Sequence, residues 1–77
     1  MDGSRLMSYR ETQKACGGLS ESSLRRRIAA GTFPQPIVLS RRQSGHPARV
    51  AFVESEVYAW IAETIAAARR EQLGGLR

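Results

Sequence analysis

The chain has a single cysteine, Cys16, so no disulfide can form within it, and a reducing cytoplasm is the expected setting. It has a single histidine, His46, far from Cys16 in sequence, so metal-ligand spacing is missing and no metal is expected. No apolar run is long enough to span a bilayer, and no signal-peptide pattern opens the chain, so no membrane partner is expected. There is no internal repeat and no low-complexity block. A glycine-rich phosphate loop, carboxylates paired for acid–base work and a nucleophile beside a base are also missing. Gly17-Gly18 and Gly74-Gly75 read instead as helix stops. These absences argue against an enzyme and against a cofactor. Aromatic residues make up 6% of the chain, too few for a sheet face that stacks RNA bases.

Positive charge is plentiful. The 77 residues carry a formal net charge of +5, with a sequence pI of about 10.7. Lys14 is the only lysine, so nearly all of that charge is arginine. Arginine makes bidentate contacts to phosphate and guanine, which favours a nucleic-acid partner. A GC-rich coding sequence would also enrich arginine, without implying any partner. A chain of this length forms one small domain, here residues 1–77 with an ordered core of about 6–70, and its stability is marginal.

Residues 17–36, GGLSESSLRRRIAAGTFPQP, organise the rest. Ser20 is placed to cap a helix, and Leu24 and Ile28 share its inner face. Gly31 suits a left-handed cap, and Pro34 and Pro36 forbid continuation. Glu21, Ser22, Arg25, Arg26 and Ala29 are left on the outer side. Such a face suits a helix laid in a DNA major groove, where arginine reads guanine and serine touches base or phosphate. The alternative is an ordinary surface helix with solvated charges.

Ser8-Tyr9-Arg10-Glu11 has the form of a capping box, which predicts a first helix from about Tyr9 to Cys16 with Thr12, Ala15 and Cys16 inward. Residues before it look loosely structured, with Leu6 and Met7 able to tuck against the core. Two short helices joined by a glycine turn make a helix-turn-helix pattern. Ile37-Val38-Leu39 and Arg49–Val53 read as strands of a hairpin with a long basic tip. From Glu54 the period is helical, with Val57, Trp60, Ile61, Thr64, Ile65 and Ala68 on one stripe and Arg69-Arg70 near the end. Trp60, Leu24, Ile28, Phe33, Val38, Phe52 and Val57 are the expected core; the alternative is that part of the stripe is a partner-binding face. The fold class is therefore α+β: two short helices, a two-stranded hairpin wing and a longer C-terminal helix.

Gly18-Leu19-Ser20, Leu24, Arg26, Ile28, Gly31–Ile37, Leu39, Ser55-Glu56-Val57 and Trp60-Ile61 together resemble the AlpA family over roughly Leu6 to Ala66. The resemblance implies a winged helix-turn-helix related to MerR and to excisionases. It also implies a phage or mobile-element protein that regulates transcription or acts as a recombination directionality factor. The chain departs from the family pattern with Arg25 where tyrosine is common, with Glu21 where a basic residue is frequent, and with a longer, more basic hairpin.

The expected DNA contacts are Ser20, Ser22, Ser23, Arg25, Arg26 and Arg27 on the recognition helix, with Tyr9 and Arg10 on the first helix. Arg41, Arg42, Gln43, His46 and Arg49 would form a wing on the DNA backbone or in the minor groove. Double-stranded DNA is the expected partner, with an integrase or recombinase and self-association on adjacent sites as further ones. The competing reading is an interaction module whose basic face binds an acidic protein such as an integrase.

Overall fold

Two consecutive helices form because the chain supplies a hydroxyl before each and glycine after each. The computed structural model describes residues 5–41, 45 and 49–75. Helix α1 spans Tyr9–Ala15. Ser8 Oγ accepts from the Glu11 amide at 3.1 Å, and the Ser8 amide donates to Glu11 Oε1 at 2.8 Å, completing the capping box. After Cys16, Gly17 and Gly18 turn the chain at φ 79° and 84°, left-handed values that glycine adopts without strain. The Gly18 amide donates to Gln13 O at 2.9 Å, and Gln13 Nε2 donates to Leu19 O at 3.0 Å, which ties the turn to α1. Helix α2 spans Glu21–Ala30, with Ser20 Oγ accepting from the Ser23 amide at 3.1 Å. It closes at Gly31, φ 78°, where the Thr32 amide donates back to Arg27 O at 3.0 Å.

The strands are β1 (Leu6–Met7), β2 (Ile37–Ser40) and β3 (Arg49–Val53). They form one antiparallel sheet in the order β1-β3-β2. The sheet thus has one strand more than the expected hairpin. Leu6 pairs with Val53 and Met7 with Phe52. Two residues are too few to show an alternating pattern, so β1 exists only because β3 offers it an edge. The Glu54 amide donates to Arg5 O at 2.7 Å and fastens β1 to the start of the last helix.

β3 is the common packing surface: α1, β1, β2 and the last helix all lie against it. Met7, Leu24, Phe33, Phe52 and Val57 form the buried cluster. Thr12 is also fully buried, its hydroxyl satisfied by donating to Ser8 O at 2.9 Å. A line of edge-to-face rings crosses this core. Tyr9 meets Phe52 at 5.4 Å, Phe52 meets Phe33 at 5.8 Å, and Phe33 meets Trp60 at 4.7 Å between centroids.

Val38, expected in the core, is 61% exposed. It lies on the edge strand β2, which packs chiefly on β3 and beyond the cover of the helices. A register shift between Val38 and Ser40 also breaks the alternation there. Ile28 and Trp60 are only half-buried and pack against the margin of the core.

Helix α3 spans Glu54–Gly75 and follows β3 without a loop. Its covered portion is short: Val57 is buried, and Trp60 and Ile61 are half-buried. From Thr64 onward the stripe is exposed, so the helix outruns the body it packs on. Its length places Arg69 and Arg70 inside the helix rather than in its last turn, which holds no basic residue.

Candidate nucleic-acid interface

Three consecutive arginines leave α2 in three directions, because successive helix residues are rotated by about 100°. Leu24, fully buried, and Ile28 anchor the inner side. Arg26 stands opposite them, with Ser22 and Ala29 beside it, all exposed. The crest of α2 is thus a single arginine among short side chains. Arg26 Nη2 lies 3.5 Å from Ser23 Oγ, a long contact that leaves its guanidinium largely free.

Arg25 leaves on the α1 side. Its Nε and Nη2 donate to Glu21 Oε2 at 3.0 and 2.6 Å, and its guanidinium carbon stands 5.4 Å from the centre of the Tyr9 ring. Glu21 raises the Arg25 pKa further above its ordinary value, first through these hydrogen bonds and then through its charge. Burial pushes the Tyr9 hydroxyl up despite the opposing pull of Arg25, so Tyr9 stays neutral. Tyr9, Arg10, Gln13, Glu21, Arg25, Arg49 and Val50 line one open concavity between α1, α2 and β3. That concavity gathers both first-helix candidates, Arg25 and one wing arginine.

Arg27 leaves on the other side, its guanidinium carbon 5.8 Å from the centre of the Trp60 ring. It borders an apolar groove with Ala15, Leu19, Trp60, Ile61 and Ile65. Trp60 is held there by its indole N–H, which donates to Thr32 O at 2.7 Å. Arg27 is therefore apart from the Arg25 concavity. Ser20 Oγ is engaged locally by the Ser23 amide, and Ser23 is half-buried beside the long contact from Arg26. Ser22 is exposed at the crest.

Of the wing candidates, Arg41 and Arg49 are exposed, and Arg49 pairs with Ser40 across the bulge. Arg42, Gln43 and His46 lie outside the described residues. Gln13 and Glu21 belong to the concavity but were absent from the expected contacts. Their signal was spacing: Glu21 and Arg25 are one turn apart, and a Gln before the glycine turn can reach across it.

Cys16 is a free, half-buried thiol whose pKa is raised by burial, so it remains protonated and packs as a small hydrophobe. Among the described residues no group of three or more His, Cys, Asp or Glu could hold a metal ion. No described helix is long and apolar enough to cross a membrane. A family model described as prophage CP4-57 regulatory protein (AlpA) matches residues 5–65. No curated protein and no solved structure matches the chain.

Proposed function

The chain belongs to the AlpA family of phage-associated regulatory proteins, and we propose that it binds duplex DNA of a mobile element with α2 in the major groove. In that role it acts as an excisionase, helping a recombinase release the element, or as a transcriptional regulator. The observation that carries this reading is the crest of α2. Arg26 stands free between Ser22 and Ala29, directly opposite the Leu24/Ile28 anchor. Short side chains let a helix approach base edges closely, and a free guanidinium can form a fork with guanine O6 and N7. Tyr9 and Arg10 lie beyond Arg25 on one side of the crest, where phosphates of the groove wall would lie. Arg41 and Arg49 extend positive charge to the wing strands.

A second reading uses α3. Ile65 is 46% exposed at the end of the groove it shares with Ala15 and Leu19, and Leu73 is 69% exposed farther along α3. That surface would serve an integrase or a second copy of the chain bound at an adjacent site.

The test is binding of the purified protein, without any partner, to random and enriched duplexes across a salt series. DNA recognition predicts enrichment of one sequence and a linear fall of log K with log salt. Loss of all duplex binding until a recombinase is added would favour the interaction module. Footprints repeated at close spacing would favour the excisionase role over a single-operator regulator.

A further inference from the structure

We propose that Glu21 is a specificity determinant of this surface: Glu21 and Arg25 form one unit that reads a neighbouring cytosine and guanine in the major groove. The proposal rests on the DNA-binding reading above and goes beyond it, because an acidic residue at a phosphate-rich interface would otherwise only weaken binding.

The geometry of the pair carries the proposal. Both hydrogen bonds from Arg25 end on the same carboxylate oxygen, Oε2, and they come from Nε and Nη2. The side edge of the guanidinium is therefore occupied, while Nη1 and the second hydrogen of Nη2 form the end-on fork. That fork presents two parallel N–H donors, a geometry that fits guanine O6 and N7. Glu21 Oε1 takes no part in the pair, and a carboxylate oxygen is the acceptor that suits the cytosine N4 amino group. The Tyr9 ring, 5.4 Å from the guanidinium carbon, backs the arginine and limits the planes it can adopt. Arg25 is thereby preorganised, so less rotamer freedom is lost on binding.

Stability does not explain the pair. Its side chains are 66% and 59% exposed, and an exposed pair of this spacing on a helix adds little to folding. Its consequence lies in the surface it presents. Glu21 keeps Arg25 from swinging onto the nearest phosphate, and its charge repels a backbone that is out of register. Both effects penalise wrong sequences more than the right one, which is how specificity arises.

The experiment runs selection from a pool of random duplexes on the wild-type chain, Glu21→Gln and Glu21→Ala in parallel. Each selected duplex and a scrambled copy are then titrated across a salt series. Both variants alter an exposed side chain, and thermal melting checks that they fold. The expected result is a wild-type motif containing adjacent cytosine and guanine. Both variants should lose discrimination at the cytosine by about tenfold, bind scrambled duplex more tightly, and keep the positions read by Arg26. A wild-type motif lacking that pair of bases overturns the proposal. So does an unchanged ratio of selected to scrambled affinity in both variants, which would leave the DNA-binding reading intact. A wild type that enriches no sequence and holds no duplex fails the DNA-binding reading itself, and this proposal with it.

Discussion

Arg25 and Arg27 stand two residues apart on α2 and cap opposite ends of one line of aromatic rings. Arg25 lies 5.4 Å from the centre of the Tyr9 ring, and Arg27 lies 5.8 Å from the centre of the Trp60 ring. Between them run Phe52 and Phe33 in edge-to-face contact. The helix period alone separates the two arginines by about 200°. Side chains two residues apart and identical in chemistry thus lie on different surfaces.

The two arginines should separate in their effects. Arg25→Ala is expected to weaken binding to a selected duplex by about 1–3 kcal/mol and to leave the melting temperature nearly unchanged. Arg27→Ala should lower stability by about 0.5–1 kcal/mol, from loss of the contact over Trp60, with a smaller effect on DNA. Duplex titration and thermal melting of both variants decide this. A larger binding loss for Arg27→Ala than for Arg25→Ala would reverse the assignment.

Trp60 should be structural although it is only half-buried. Trp60→Ala removes the ring packed on Phe33 and the hydrogen bond to Thr32 O, and should cost about 3 kcal/mol. Trp60→Phe keeps an aromatic ring and loses the N–H, so it should cost about 1 kcal/mol. A shift of 1 kcal/mol moves the melting temperature of so small a domain by roughly 4–8 °C. Wild-type melting for Trp60→Ala would assign the indole to an intermolecular contact instead.

The wing can be tested on its described residues. Arg41→Ala and Arg49→Ala should each reduce the magnitude of the log K against log salt slope by about 0.9 if each arginine meets one phosphate. Selected and scrambled duplexes should weaken alike. If the wing instead enters the minor groove, the loss will follow the A·T content of the flanking sequence. Equal affinity and equal slope on both duplexes would remove the wing from the interface.

Acid should act through the cap of α1. The Ser8 amide and hydroxyl hold the Glu11 carboxyl below its ordinary pKa, the amide contributing most. A carboxyl depressed in the folded state stabilises fully above its unfolded pKa of about 4.3. That contribution is lost as pH falls through the folded value. Glu11→Gln keeps an acceptor for the Ser8 amide but does not titrate. Melting measured from about pH 7 to about pH 3 should therefore fall less steeply for the variant than for wild type. Parallel curves would show that the capping box does not couple to pH.

Local chemistry in the sequence determined the helix boundaries, because the signals act over one turn. Ser8 with Glu11, Ser20, and the glycines at 17, 18 and 31 specify where α1 and α2 begin and end without reference to any other element. β-Branched runs likewise marked β2 and β3. Tertiary structure alone decided the rest. β1 is two residues long and exists because β3 has a free edge. Val38 reads as a core residue by composition yet is exposed, because hydrophobicity marks a strand without saying which strand the helices cover. The stripe on α3 continues past Trp60 and Ile61, but its residues from Thr64 onward are exposed, so one periodic pattern serves burial in its first part and an exposed surface in its second. On α2, the two departures from the family pattern, Glu21 and Arg25, turn out to be the two ends of one ion pair. Composition registers them as opposite charges; only the folded helix, with Tyr9 brought beside it by α1, sets the direction in which that pair points.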